Sequence, residues 1–282
     1  MDLRRRFIFR GNAAAISGRI VRPKDYVLES STASSLTVVG GRSRAEAGPT
    51  PFGEWIRHAG AATLAEGLFD DVKGQIELTY HRLAEDALTT STRVTADVTG
   101  LSVGQKPVLT IERLHASLRS ASPSGSGEPT IAVTNDTAIE GVAIDGHPLI
   151  VELALPLFQR YDTRSKLLAA ADDPAFVKES GDCLFMQSSI GGTPPPPGAR
   201  LLHSCGTTYA TIVRAIRWAG DPHPAARIDH HSLVVHDFGR IFFGELLVTD
   251  LSRRLTMLRL ELGSPVGGSV ACAEVESNGT WS

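Results

Sequence analysis

A nine-residue layout occurs twice in this chain, as Gly100-Leu-Ser-Val-Gly-Gln-Lys-Pro107-Val108 and as Gly141-Val-Ala-Ile-Asp-Gly-His-Pro148-Leu149. Each copy opens on Gly, carries an inner Gly and places Pro at its eighth position. Each therefore reads as a strand, a tight turn and a returning strand. Connections this short join only antiparallel neighbours, so the pattern commits this part of the chain to β hairpins. Whether the two hairpins pair with each other as a pseudo-twofold is left open by the repeat.

The flanking segments alternate with period two. In Val72–Tyr80, Ile76, Leu78 and Tyr80 share one face, with Gln75, Glu77 and Thr79 on the other. In Thr92–Val98, Val94, Ala96 and Val98 point inward, and in Leu109–Leu118 so do Leu114, Ala116 and Leu118. One apolar and one polar face is the mark of a half-buried antiparallel strand. Residues 120–130, rich in Ser, Gly and Pro, read as a surface loop, and Leu149 to Leu155 alternate again.

Shorter β-like runs precede this region. Ala14–Val21 ends at Arg22-Pro23, Leu36–Val39 ends at Gly40-Gly41, and residues 42–70 fit no single pattern. Leu157, Tyr161, Leu168 and Ala171 lie near 3.6 spacing, with Pro174 beyond, and predict one helix over 157–171. Gly191-Gly192 and Pro194–Pro197 make residues 187–200 a flexible loop of polyproline character. Strands return at Tyr209–Trp218, Ser232–Val235, Arg240–Val248, Leu255–Leu262 and Val270–Val275. Arg240–Val248 is apolar on both faces near its centre and reads as an internal strand. The expectation is an all-β fold, a β-sandwich or irregular antiparallel barrel with one short helix, formed by residues 1–282 as a single domain.

Composition excludes some functions. The net charge is −3 and the basic residues are scattered, so no basic stripe is available for phosphate backbones and nucleic acid is not expected as a partner. No run approaches the ~20 apolar residues of a membrane span, and Met1–Arg10 has basic residues without a following apolar run. Cys183, Cys205 and Cys272 form no CxxC and leave one thiol unpaired in any scheme, which points to reduced thiols and a cytoplasmic protein. Lysine is used at 24, 73, 106, 166 and 178 only, with Arg elsewhere, a bias that fits a GC-rich bacterial genome.

The two hairpins and the segment Gly239-Arg-Ile-Phe-Phe-Gly-Glu-Leu-Leu-Val248 make the chain resemble uncharacterised bacterial all-β proteins. The hairpin is also similar to extracellular choice-of-anchor β domains of actinobacteria. That resemblance covers about a fifth of the chain, implies a bacterial β protein and carries over no functional residue.

The densest polar cluster is Asp229-His230-His231 with His236-Asp237, the residue types that a zinc site uses. Extended geometry opposes a simple site. His231 and His236 face opposite sides, and His230 and His236 share a face about 20 Å apart at ~3.3 Å per residue. One ion needs a turn between them or a third ligand such as His203 or His223. His203 lies two residues before Cys205, the spacing of a base that faces a thiol. Glu274 and Glu276 share a strand face, as paired carboxylates do, and Glu245 in its apolar strand calls for Arg259 or Arg240 as a partner. There is no Gly-x-Ser-x-Gly elbow, P-loop, Rossmann fingerprint or His-Glu-x-x-His motif.

The sequence reading is therefore a non-catalytic binding or structural module of unknown partner, without a cofactor. Two alternatives stand beside it. One is a zinc-dependent hydrolase using His230, His231 and His236. The other is a carrier of a small apolar ligand, lined by Ile76, Leu78, Val94, Leu260 and Phe242.

Overall fold

The computed structural model describes residues 7–20, 26–71, 88–123, 128–170, 173–180, 202–204, 207–262 and 268–281. The first part of the chain forms β1 (Phe7–Ile20), β2 (Tyr26–Leu28), β3 (Ala33–Ser35), β4 (Gly41–Ala47), β5 (Thr50–Phe52), β6 (Ile56–His58), β7 (Gly60–Asp71), β8 (Leu88–Val103) and β9 (Leu109–Pro123). Then come β10 (Thr130–Val133), β11 (Ala138–Glu140), β12 (Val142–Ile144), β13 (His147–Leu153), α1 (Leu155–Arg160), α2 (Arg164–Ala170) and α3 (Pro174–Ser180). The chain continues with β14 (Leu202–Ser204), β15 (Thr207–Thr211), β16 (Val213–Trp218), β17 (Ala226–Asp229), β18 (Ser232–Val235), β19 (Gly239–Val248), β20 (Ser252–Leu262) and β21 (Gly268–Trp281).

These strands build two antiparallel sheets. The first runs β14-β15-β19-β20-β21-β1-β2, with β3 on β1 and the β17–β18 hairpin on β19. The second runs β16-β13-β12-β9-β8-β6-β5, with β10 and β11 on β9 and β7 and β4 beyond β8. Inward side chains of both sheets form one core, from Ile16, Phe243, Leu258 and Val275 to Val98, Leu114, Ile144 and Val213. The fold is sandwich-like, as the alternating segments imply. β1 and β21, from opposite ends of the sequence, pair from Phe7↔Trp281 to Ile20↔Gly268.

The repeated hairpins are real and adjacent. β8 and β9 enclose one turn and β12 and β13 the other, and β12 pairs with β9. Successive antiparallel neighbours put both turns at the same end of the sheet, where the Asp145 N–H donates to the Val108 carbonyl at 2.8 Å. The repeat is thus a sideways translation along one sheet and not a twofold.

The motif's first Gly has a different task from the turn. Gly100 (φ 60°) and Gly141 (φ 64°) lie in register on either side of Glu112 of β9. There the inward phase inverts. β8 buries Val94, Ala96 and Val98, then Leu101 and Val103, while β9 buries Leu109 and Ile111, then Leu114 and Ala116. The first sheet inverts along its own row of Gly244 (φ 59°), Met257, Ala273 (φ 51°) and Ala15. β19 buries Ile241 and Phe243 before Gly244 and Leu246 and Val248 after it. Pairing keeps its register through both rows, so no residue is inserted and the inversion is made by the backbone at these positions.

Beside Gly244 the chain changes sheets. Only Ile212 separates β15 from β16, and it donates its N–H to the Gly244 carbonyl and accepts from Ala154 N–H, both at 2.8 Å. A Cβ on Gly244 would lie 2.7 Å from Ile212 Cγ1.

The far end of the sandwich is closed by helices. Two short helices, α1 and α2, replace the single one expected over 157–171, because the chain between them is capped, and α3 follows beyond it. Thr163 Oγ1 accepts from Lys166 N–H at 3.1 Å, and Glu128 accepts from the N–H groups of Arg164 at 2.7 Å and Ser165 at 3.3 Å. At the end of α1, the Tyr161 and Phe158 carbonyls take the guanidinium of Arg253, at 2.6 and 3.5 Å. Arg253 belongs to β20 and is 1% exposed. Burial lowers its pKa to about 10, against the opposing pull of Asp162 and Glu128. Two other expectations change. β9 continues to Pro123 into the segment read as loop, and β1 begins at Phe7, before the run expected from Ala14. The strand expected over 72–80, with Ile76 and Leu78, and the loop at 187–200 lie outside the described residues.

Gly146 and Gly244 separate two causes of strain. Both have positive φ, but a Cβ on Gly146 meets nothing within 4 Å. Gly146→Ala is expected to cost about 1–2 kcal/mol, the left-handed penalty alone. Gly244→Ala adds overpacking and is expected to cost roughly 2–5 kcal/mol. Urea unfolding of both variants reads the difference; equal costs would remove the close approach of Ile212 to Gly244 from the account of stability.

Candidate functional site

The histidines singled out in the sequence sit at the two ends of β18. His230 (φ 54°) and His231 form the β17–β18 turn, and His236 begins the turn between β18 and β19. His236 is exposed, with Nδ1 2.9 Å from Asp237 Oδ2. His231 is buried, its ring 5.8 Å from that of Phe242 and its Nε2 3.8 Å from Glu245 Oε1. Among the described residues no group of three or more His, Cys, Asp or Glu side chains is gathered as a metal site.

His231 instead abuts an ionic cluster on the outer face of the first sheet. Arg259 of β20 binds Glu245 of β19 with both prongs, Nε to Oε2 at 2.6 Å and Nη2 to Oε1 at 2.7 Å, and also binds Glu261. Its guanidinium lies 3.7 Å from the centre of the Phe242 ring, and that of Arg240, bound to Asp229, lies 5.3 Å away. Phe242 is thus buried under cations on the outer face and does not belong to the core between the sheets, because it precedes the inversion at Gly244. Burial alone would raise the Glu245 pKa, but the Arg259 hydrogen bonds and charge, with His231, outweigh it and hold the carboxyl at about 2.

A second ionic chain crosses the outer face of the other sheet. Asp97 of β8 and His115 of β9 are direct cross-strand partners. Asp97 Oδ2 accepts from Arg113 Nε at 3.0 Å and lies 2.7 Å from His115 Nδ1. His115 Nε2 is 3.5 Å from Asp136 Oδ2, which also accepts from Arg93 at 3.0 Å. Basic and acidic side chains therefore alternate from Arg113 through Asp97, His115 and Asp136 to Arg93. Burial opposes ionisation of both aspartates. For Asp97 the bonds to His115 and Arg113 prevail, and for Asp136 the Thr134 bond and the His115 charge do, so both lie below the usual carboxylate range. No local motif announces this chain, since its members come together only through strand register.

The other candidates are committed elsewhere. Glu274 accepts from Thr256 Oγ1 at 2.9 Å and Glu276 from Arg254 at 3.0 Å. Cys272 is buried, which pushes its thiol up to about 12. His203 lies in β14, while Cys205 and Cys183 fall outside the described residues.

The end of the sandwich opposite the helices collects turns. Trp55, in the β5–β6 turn, accepts the Gly104 N–H at 2.7 Å, and Ala219 N–H donates to Pro148 at 2.9 Å. The His236 N–H donates to Ala225 at 2.9 Å. The turns at 53–55, 104–108, 145–146, 219–225 and 236–238 are thereby stitched into one row. In it His147 stacks edge-to-face against Trp218 and His223, with ring centres 6.3 and 5.1 Å apart. His223 Nε2 lies 3.1 Å from Asp145 Oδ2. Beside them Pro224, Ala225, Ala226, Arg227, Val234 and His236 line an open recess of about 410 Å³.

The Glu245 cluster sets an acid limit. Its carboxyl titrates near 2 when folded and near 4.5 when unfolded, so its contribution is complete above 4.5 and is lost as pH falls towards 2. Arg259→Met leaves Glu245 buried without its main partner and is expected to cost about 3–5 kcal/mol at pH 7. The cost shrinks as pH falls through that window. A pH-independent loss in thermal unfolding would show that Arg259 matters only through packing.

No curated protein and no solved structure matches the chain. No helix among the described residues is long and apolar enough to cross a membrane. A family profile matches residues 7–184, from β1 past the end of α3 and more than half of the chain. The chain belongs to the family described as a domain of unknown function, DUF8256.

Proposed function

We propose that the chain is a non-catalytic binding domain whose recognition surface is the row of turns, centred on the recess between loop 219–225 and the β17–β18 hairpin. The observation that carries this reading is the asymmetry of the two ends. One end is covered by helices pinned on Arg253, and the other presents stitched turns around an open recess. Sandwich loops held by a rigid scaffold are a common place for recognition. The recess has an apolar floor in Pro224, Ala226 and Val234, with the exposed Arg227 and His236 beside it. That chemistry suits an extended peptide with a carboxylate next to an apolar residue.

Selection of a random peptide library on the immobilised chain tests this. Expected are binders rich in Asp or Glu beside Leu, Ile or Val, weakened about 5–30-fold by Arg227→Ala, the loss of one charge-assisted bond at 1–2 kcal/mol. No enrichment, or enrichment indifferent to Arg227 and His236, would sink the reading. Elemental analysis of the untagged protein separates it from the zinc-hydrolase alternative, which requires about one zinc per chain.

We also infer that the chain folds as a single domain, although the family match ends at residue 184. Support comes from β1, inside the match, whose partner β21 lies outside it, and from β13, whose partner β16 does too. A fragment of residues 1–184 is expected to show no cooperative thermal transition by circular dichroism; a cooperative one would place a domain boundary near residue 184.

A further inference from the structure

We propose that the β5–β6 hairpin is an acid-released flap on the edge of the second sheet, with the buried His58 ring as its trigger. The device needs no ligand, and it goes beyond the binding reading.

β5 is the last strand on its side of the second sheet, and β6 joins it to β8. That junction is short. Ile56 pairs with Val103 and Arg57 with Ser102. Two further backbone bonds run from Gly104 N–H to the Trp55 carbonyl at 2.7 Å and from Ala59 N–H to the Thr99 carbonyl at 2.8 Å. Phe52, Ile56 and His58 are the buried side chains of the hairpin. Strand alternation and pairing put all three on one face, and Val103, opposite Ile56, belongs to the core. His58 therefore stands where an apolar anchor would. It is 3% exposed, and its ring centre is 5.8 Å from that of Phe52. Neither ring nitrogen has a hydrogen-bond partner of ordinary geometry. A buried polar ring without partners costs stability, a cost that an apolar side chain would avoid. What histidine adds at this position is a site for a proton.

The surroundings oppose a charge on this ring. Burial holds the His58 pKa below its ordinary value, against the weaker pull of the Gly60 carbonyl, which also accepts from Thr99 Oγ1 at 3.3 Å. Among the described residues no carboxylate compensates. β5 has no charged side chain, Arg57 of β6 is exposed on the other face, and Glu54 in the turn accepts from Gln105 at 3.0 Å. β8 carries Arg93 and Asp97 on its outer face, where Asp136 and His115 hold them. Of the buried charged side chains, Arg253 holds α1 at the other end of the sandwich, and Glu261 binds Arg259 on the outer face of the first sheet. Above pH ~6.5 the ring is neutral whether the flap is closed or open. Below it the open flap takes up a proton that the closed one resists, so acid shifts the balance towards the open form. Opening breaks the Trp55–Gly104 stitch in the row of turns and frees the edge of β8 at Ser102 and Val103.

Amide hydrogen exchange on the full chain tests the flap. Protection at Gly104 and Ala59, whose N–H groups bind Trp55 and Thr99, is followed from pH ~7.5 to pH ~5.0, corrected for intrinsic exchange and compared with the β8–β9 ladder. Protection at both is expected to fall about 3–30-fold while the ladder holds, the upper figure being the ceiling for an open-state imidazole that titrates near ~6.5. His58→Leu and His58→Gln have no proton to gain, and each is expected to flatten the response. Ring NMR of the unsubstituted chain is the second measurement, in which His58 is expected to titrate below the ordinary ~6.5. Protection at Gly104 and Ala59 that is constant or rises in acid would overturn the proposal. So would an acid response retained by both variants, or a His58 ring that titrates at or above ~6.5.

Discussion

The row of inversions across each sheet is the constraint on which the other features depend. A strand that alternates without interruption shows the same set of side chains to the core along its whole length. Here β19, β20, β21 and β1 exchange that set at one level, and β8 and β9 do so in the other sheet. Two residues pay the conformational cost in the first sheet, Gly244 and Ala273, and their neighbours Met257 and Ala15 follow in register. Beside Gly244, β15 leaves one sheet and the chain enters the other as β16 with a single residue between them. The inversion also decides which charged residues meet, since Phe242 and Glu245 share the outer face only because Gly244 lies between them.

Charged groups buried on this scaffold are held by more than one partner. Arg259 is shared by two carboxylates and an aromatic face, and Arg253 by two helix-terminal carbonyls. A desolvated ion is tolerated only when its hydrogen-bonding capacity is filled. The consequence differs between the two sites. Around Arg259 the bonds join neighbouring strands of one sheet, whereas Arg253 fastens a helix to the start of a strand and so fixes how the sandwich end is covered.

Much of the architecture was legible where a single period governs a segment. The inward sets Val94, Ala96, Val98 and Leu114, Ala116, Leu118 follow from alternation, and the Glu245–Arg259 pair follows from a carboxylate in an apolar run. Arg240–Val248 was legible as an internal strand, and its two apolar faces arise from the inversion at Gly244 together with Phe242, which is buried on the outer face under Arg240 and Arg259. The helical segment misled because periodicity does not register caps supplied from a distance by Glu128 and Arg253. The Asp97–His115–Asp136 chain and the His147–His223 contact were illegible, because each joins residues through strand pairing or loop packing that no local spacing encodes. His230, His231 and His236 formed a cluster along the chain, yet β18 places His236 at the opposite end from the other two.

The pairing of β1 with β21 also bears on synthesis. A chain made from its N-terminus exposes β1 long before its partner along Phe7–Ile20 exists. During that interval Phe7, Phe9 and Ile16 belong to a strand with one edge and one face uncovered, the condition under which strands pair with the wrong neighbour. β21, which joins β20 to β1, is made after every other described strand. Closure of the first sheet is therefore a late, long-range event, slow by topology, and protection of β1 until β21 has been made is a demand that the fold places on the cell.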